Sequence, residues 1–503
     1  MSRAHRLVII GTGMAGARLA EHVLARTAAR PFELVMFGEE PGGTYNRILL
    51  SGVLAGTHAG PDIVTNPVDW YDASGIVLHS EAAVAVDLVN RQVAGARGTE
   101  VRFDSLVFAT GSSPVVPAID GLARPDGSMP DRAFVFRTVD DCARIAVAAS
   151  EGRKAVVIGG GLLGLEAARG LIGHGLDVSV VHLAGHVMDS QLDRDGGRVL
   201  QRQLERLGLR VLPGKTTARV HADTAVQGLE FSDGTRMDCD LLVIAAGVRP
   251  NVQLARSCGL RVQRGIVVGD DLACTGAPAV YALGDCAEHR GQVYGLVAPA
   301  WEQADVLADR LTGREPAATY TGSRLATKLK VAGIHVAVMG DRDPLDDDEV
   351  VSYTEPARGI YSRVIVRGDR VAGAMLIGAP EAVPSVVQRF LDRSQVPEQR
   401  SDLLFPPSGN GAATAVEAIP DAARICDCNA VAKAQIVDAV LNGARSLHAV
   451  CEKTRAGTGC GSCKPEVQRI VDFVCRDLVD NPVAVGDATA HSRPRTGGDH
   501  APA

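Results

Sequence analysis

At 503 residues the chain is too long for one hydrophobic core, and a prior of about 100–200 residues per domain gives it about three or four domains. Hydrophobic residues make up 46% and charged residues 22%, with 55 glycines and 4% aromatics, which excludes a disordered chain and fits a globular α/β protein with many tight turns. A net charge of -7 without any Lys/Arg cluster argues against nucleic acid and against an anionic membrane surface as partners.

The opening MSRAHRLVII runs directly into a glycine-rich turn, not into a longer apolar region with a cleavage site, and no segment reaches the roughly 18 apolar residues of a membrane span. A cytoplasmic protein is expected. Its eleven cysteines are then expected to serve metal binding, catalysis or packing instead of structural disulfides.

In chain order, residues 7–10 form an apolar, β-branched run followed by Gly11-Thr12-Gly13-Met14-Ala15-Gly16, a helical stretch over 17–28 and a second strand over 32–37. That is a βαβ unit. It recurs as a strand over 155–158, Gly159-Gly160-Gly161-Leu162-Leu163-Gly164, a helix through Gly173 and a strand over 177–182. In such a turn the first glycine permits the bend, the second lets backbone approach a pyrophosphate, and the third lets helix and strand pack closely. One such motif is weak evidence; two, each between strand and helix, predict two dinucleotide sites.

Each unit leads to a later strand ending in glycine, at 106–111 and at 242–247, and a further strand over 279–283 ends in Gly284-Asp285. Residues 248–318 are therefore expected to complete the first module, with the second inserted in it. Glu39 or Glu40 stands where an acid would bind an adenosine ribose, with a solvated turn carboxylate as the alternative. The matching place in the second module is His182, neither the acid usual for NAD nor the arginine usual for NADP; with no Lys or Arg before Arg194, NADH is favoured over NADPH.

Two nucleotide folds, Ala109-Thr110-Gly111 and the late Gly-Asp resemble the pyridine nucleotide-disulfide reductase superfamily of flavoproteins over residues 1–318. The resemblance implies FAD in the first module, bordered by Ala109, Thr110 and Gly111, with Asp285 near its ribityl and pyrophosphate and Arg47 in contact with it. It also implies NAD(P)H in the second, with Glu166 near nicotinamide and flavin. Arg47 read alone is equally a surface arginine, and Glu166 an acid favoured by the helix dipole. Disulfide members of the superfamily need two neighbouring cysteines beside the flavin, and residues 40–60 contain none. Cys286 follows Asp285 without a close partner in sequence and reads as a packing residue.

Beyond 318 the pattern predicts an α+β domain over 319–404, with strands over 334–339 and 363–366 and a helix over 383–391. A Pro/Gly/Ala/Thr-rich linker over 405–420, a small domain over 421–480 and a disordered tail over 481–503 follow. The small domain carries Cys426-Asp427-Cys428 and, after 31 intervening residues, Cys460-Gly461-Ser462-Cys463. Four thiolates hold either a 2Fe-2S cluster or a structural zinc, and the C-x-C pair makes zinc the lesser reading. Helical periodicity spans 430–441, and Pro465 suits the first turn of a further helix. The segment resembles bacterioferritin-associated ferredoxin-like 2Fe-2S domains over 422–476, with Cys451 and Cys475 outside the ligand pattern.

The boundaries drawn are 1–112 plus 248–318 for the FAD domain and 113–247 for the NAD(P)H domain. The fold class is α/β, with two Rossmann-like domains, an α+β third domain and a small helical 2Fe-2S domain. Tyr45-Asn46-Arg47-Ile48-Leu49-Leu50-Ser51, residues 294–299 and 327–331, and the closing Gly459-Cys460-Gly461-Ser462-Cys463-Lys464 resemble two groups. These are the N-terminal portion of NADH-dependent nitrite reductase large subunits and the electron-transfer subunits of assimilatory nitrate reductases. The nitrite reductases continue into a sirohaem and 4Fe-4S half, to which this resemblance does not extend. The expectation is an electron-transfer reductase whose partner is a nitrate reductase catalytic subunit. A reductase for a small ferredoxin or rubredoxin carrier, and a flavin/iron-sulfur redox sensor, stand as alternatives.

Overall fold

The computed structural model describes residues 4–26, 32–331, 333–405, 416–426, 428–459 and 461–480, so Cys460, most of the expected linker and the whole expected tail lie outside the described residues. The described residues form two units, 1–407 and 408–503.

In the larger unit, strand His5–Ile10 is flanked in parallel by Phe32–Phe37 and Ser105–Phe108, with Val77–His79 and Val280–Ala282 at the edges. Leu7 to Ile10 are all buried, which is why this strand reads as a continuous apolar run: both faces of a parallel sheet are covered. Helix Met14–Arg26 covers it with Leu19, Ala20 and Val23. Its outer side is pinned to helix Val297–Thr312, where the Asp305 carboxylate lies 2.8 Å from His22 Nδ1 and 2.5 Å from the Arg26 guanidinium.

The second module repeats the plan with five parallel strands in the order Ala133–Val135, Leu241–Ile244, Lys154–Ile158, Asp177–His182 and Arg210–Pro213. The chain crosses between the modules on a two-stranded antiparallel ribbon, Ser112–Pro114 with Val248–Pro250. Each module also carries a three-stranded antiparallel sheet, 83–102 in the first and 217–238 in the second, which the motif reading did not anticipate.

Residues 326–377 form a five-stranded antiparallel sheet backed by helix Val383–Asp392 through Val386, Val387 and Phe390. This layer is fastened to the second module by Asp193. Its carboxylate caps helix Arg194–Arg206 at the Gly196 N–H (2.8 Å) and also takes bonds from Arg363 (2.7 Å) and Tyr361.

In the smaller unit, strand Arg424–Cys426 pairs with Val431–Ala432 and three helices follow, Lys433–Leu441, Leu447–Thr454 and Lys464–Asp480. The first helix starts three residues later than its periodicity suggests, because Ala430 turns at φ 52 and the next two residues join the strand pair. The middle helix went unpredicted; Ser446 caps it by accepting the Ala449 N–H at 3.2 Å. Ile436, Val440, Val450, Val467 and Ile470 fill the core. Among the described residues no helix is long and apolar enough to cross a membrane.

Candidate functional site

The two glycine turns are built from the same contacts. Gly11 and Gly159 sit at φ 120 and 125, and a Cβ on either would lie 2.2 Å from a backbone oxygen, of Ala109 and Ala245 respectively. Gly16 and Gly164 press on the turn itself: their Cβ atoms would stand 2.1 and 2.0 Å from the oxygens of Gly11 and Gly159. Only glycine fits these four places. Gly13 and Gly161 differ, since a Cβ there would meet no atom within 4 Å. Each faces open space at the start of a helix, Met14–Arg26 or Leu162–Gly173, where unpaired backbone N–H groups attract a pyrophosphate. On this observation both turns fit a dinucleotide.

Around the first turn the structure gathers residues distant in sequence. Ala109 lies against Gly11, and Thr110 is locked by two bonds with Asn251, Oγ1 to the carbonyl at 2.7 Å and the return amide at 2.9 Å. Gly111 takes φ 66. Gly284, at φ 76, brings its Cβ position within 3.0 Å of the Ala15 Cβ, setting Asp285 beside the start of the first helix. Asp285 Oδ2 accepts from Ser112 Oγ at 2.6 Å and from Arg137 at 3.1 Å.

Arg137 went unremarked in the sequence. It stands just before Thr138, the N-cap of helix Val139–Glu151, and links the inserted module to Ser112 and Asp285 of the first. Its carbonyl also accepts from Arg47 at 3.1 Å.

Arg47 is half-buried. It pairs with Glu40, which also accepts from Tyr45 OH at 2.5 Å, and its guanidinium lies 4.8 Å from the centre of the Tyr45 ring. Burial, with Glu40 adding to it, pushes the Tyr45 phenol up, so this residue is a donor at neutral pH. Both oxygens of Glu40 are thereby engaged, whereas Glu39 is exposed at the end of strand Phe32–Phe37.

In the second module His182 is held between two partners. Its Nδ1 accepts the Gly160 N–H at 3.1 Å, so Nε2 carries the proton that bridges to Asp189 Oδ1 at 2.8 Å. A carboxylate, that of Asp189 seven residues on, thus stands beside the His182 ring. Two cations that sequence distance concealed also lie near. The backbone N–H of Lys215 donates to the His182 carbonyl while its ammonium pairs with Asp233, and the Arg342 guanidinium donates to the Asp189 carbonyl and pairs with Asp343. Glu166 lies half-buried in the second turn of helix Leu162–Gly173.

The C-terminal cysteines stand at loop ends: Cys426 closes a strand, Cys428 follows in the turn, and Cys463 immediately precedes helix Lys464–Asp480. All three are buried. With Cys460 outside the described residues, no three Cys, His, Asp or Glu side chains form a metal-holding group among the described ones. The fit to an iron-sulfur cluster rests on the donor set, sulfur alone on two facing loops. Cys451 is buried against Gly457, and Cys475 is half-buried. Cys286 is buried too, its Sγ directed at the Leu283 and Phe108 carbonyls at 3.3 and 3.4 Å; burial raises it, keeping it a thiol.

Comparison with known proteins agrees with this geometry. Residues 5–304 match the pyridine nucleotide-disulphide oxidoreductase family, residues 326–387 the rubredoxin NAD+ reductase C-terminal domain, and residues 424–472 the BFD-like [2Fe-2S] binding domain. The nitrite reductase [NAD(P)H] of Bacillus subtilis is 40% identical over 93% of this chain and 57% of its own length. The assimilatory nitrate reductase electron transfer subunit of the same organism is 38% identical over 96% of the chain and 61% of its own. The chain thus spans less than two thirds of either relative. Among solved structures, the ferredoxin reductase for the CYP199A2 system from Rhodopseudomonas palustris superposes at a TM-score of 0.69 with 27% identity, over 80% of this chain and 98% of that one. The chain belongs to the pyridine nucleotide-disulphide oxidoreductase family, as an NAD(P)H-dependent flavoprotein with FAD, NAD(P)H and a 2Fe-2S cluster as its cofactors.

Proposed function

We propose that the chain is the reductase that carries electrons from NADH to a nitrate reductase catalytic subunit. The observation that carries this reading is the union, in one chain, of a doubled dinucleotide cradle having no cysteine pair beside it with a domain of buried cysteines. When bound, FAD accepts hydride from the nicotinamide and the cluster exchanges electrons singly.

The chain's own groups supply position and charge. Gly11, Gly13 and Gly16 bed the FAD pyrophosphate at the N-terminus of the first helix, with Glu39 on its ribose. Arg137 and Arg47 bring positive charge to that pocket, and Asp285, oriented by Ser112 and Arg137, borders the ribityl chain with Ala109, Thr110 and Gly111. Gly159, Gly161 and Gly164 would bed the NADH pyrophosphate, with Glu166 near the nicotinamide. Asp189, held by His182, meets the ribose hydroxyls and repels a 2′-phosphate. That Lys215 and Arg342 are already paired supports NADH over NADPH. Cys426, Cys428, Cys460 and Cys463 hold the cluster.

Anaerobic titration with stoichiometric NADH, followed by visible and EPR spectroscopy with flavin, iron and zinc quantified, tests the internal path. Bleached flavin and a rhombic reduced 2Fe-2S signal are expected; zinc in place of iron defeats it. A second reading, delivery to a small ferredoxin or rubredoxin, is favoured by the rubredoxin reductase match at 326–387. Turnover with such a carrier and none with a nitrate reductase catalytic subunit selects it.

A further inference from the structure

Asn429 directly follows the first cysteine pair and is half-buried. Its side-chain amide reaches three acceptors on two loops: the Arg455 carbonyl at 2.7 Å, Thr458 Oγ1 at 3.2 Å and Cys426 Sγ at 3.9 Å. An amide has two hydrogens, so the short bond to Arg455 uses one and leaves the other between Thr458 and the sulfur.

The receiving loop is itself closed. Arg455 takes the left-handed conformation at φ 63 where helix Leu447–Thr454 ends, and Thr458 Oγ1 donates back to the Arg455 carbonyl at 2.8 Å. This loop leads into Cys460. One side chain therefore ties the turn bearing Cys426 and Cys428 to the segment that delivers the second cysteine pair. Arg455 and the sulfur both require a donor, so the isosteric aspartate would lose those bonds.

We infer that Asn429 is a positioning residue of the iron-sulfur site: it fixes the separation of the two cysteine loops and donates an N–H···S hydrogen bond to the Cys426 thiolate. The inference rests on the reading that Cys426, Cys428, Cys460 and Cys463 hold the cluster. A cluster gains negative charge on reduction, and that charge spreads onto its sulfur ligands. A donor aimed at a ligand sulfur therefore stabilises the reduced state more than the oxidised one and raises the potential. A role confined to folding would leave the potential unchanged.

The test uses the full chain, loaded with cluster and kept anaerobic. Iron, sulfide and the EPR signal of the wild type test the underlying reading by themselves. Asn429→Leu keeps the shape and removes the donor. At the wild-type midpoint its ratio of reduced to oxidised cluster should fall by about threefold or more, ~28 mV for one electron at about 59 mV per tenfold. Its EPR g values should shift as well. Thr458→Val loosens the loop but keeps the bond to sulfur, so it should release iron to a chelator faster at an unchanged potential. An Asn429→Leu protein with wild-type potential and g values overturns the inference. Should that variant fail to retain iron, pulsed EPR of the reduced wild type labelled with side-chain [15N]asparagine decides: a nitrogen coupling supports the bond, and its absence refutes it.

Discussion

Gly161→Ala and Gly164→Ala should separate the two tasks of one turn. At Gly164 the new Cβ would lie 2.0 Å from the Gly159 oxygen, far inside the 3.4 Å at which ordinary contact begins, and both sides of the clash are backbone. Helix Leu162–Gly173 must then back away from strand Lys154–Ile158, loosening Leu165, Ala168 and Leu171, all fully buried. Overpacking of this kind costs about 1–3 kcal/mol, and the better helix propensity of alanine returns about 1. A net loss of about 1 kcal/mol, and at most about 2, should appear as a Tm lower by a few degrees. At Gly161 nothing lies within 4 Å, so alanine should leave Tm unchanged while its methyl group stands where the pyrophosphate is proposed to bind. Losing one or two backbone–phosphate contacts at about 1.4 kcal/mol per tenfold predicts a KM for NADH raised about 10- to 100-fold, with FAD content intact. Differential scanning fluorimetry and stopped-flow flavin reduction read the two quantities. Gly161→Ala with the wild-type KM would refute the assignment of this turn to the coenzyme.

Three further outcomes follow from specific contacts. Arg47→Ala strips Glu40 and Tyr45 of their cation, and removal of a charge-assisted contact of about 1.5–3 kcal/mol should weaken FAD binding about 10- to 100-fold by fluorescence titration; undiminished affinity removes Arg47 from the site. Asp193→Ala removes a helix cap and strands Arg363 and Tyr361, with a loss of about 2–4 kcal/mol expected in urea unfolding. Burial opposes ionisation of Asp193, but Tyr361, the Gly196 N–H and Arg363 outweigh it and hold its carboxyl below the ordinary value. Its contribution is therefore present above the unfolded value of about 3.9 and lost as pH falls through the folded one, so wild type and Asp193→Asn should differ at pH 6–8 and converge in acid. Asp189→Ala should narrow the preference for NADH over NADPH in kcat/KM about tenfold; an unchanged ratio would remove Asp189 from coenzyme selection.

The strands and helices carrying the glycine turns were legible because three constraints coincide there: a fully buried strand, a turn only glycine tolerates, and an apolar helix face. The smaller antiparallel sheets were not, since strands such as Ala83–Asp87 are mostly exposed and short, leaving little period-2 signal. Pairing across long sequence separation was equally hidden. Nothing in the order of residues joins Arg137 to Asp285, or Asp189 to strand-end His182. The start of the helix at Lys433 was misplaced because apolar spacing continues through Val431, where strand pairing prevails over helical propensity. Asn429 shows the same limit at one residue, since its role depends on a loop 26 positions away.

The cysteines divide by chemistry as well as by position. None of the five in the larger unit is in a disulfide. Burial pushes the Cys142 and Cys239 thiols up to about 12, and Cys258, Cys274 and Cys286 are raised for the same reason. Exchange with a substrate disulfide requires a thiolate, and burial keeps these groups as thiols, four of them within packed cores and Cys258 at a core's edge. Burial therefore disfavours all five as exchanging thiolates, although the fold is that of a family named for disulfide reduction. Of the described C-terminal cysteines, Cys426 closes a strand, Cys428 lies in the turn after it and Cys463 precedes a helix, places that suit the four thiolates proposed to hold the cluster. On the proposed assignment of Cys426, Cys428, Cys460 and Cys463 to the cluster, the change from two-electron to one-electron chemistry follows the division of the cysteines: those of the larger unit pack, and those beside the C-terminal turns hold iron.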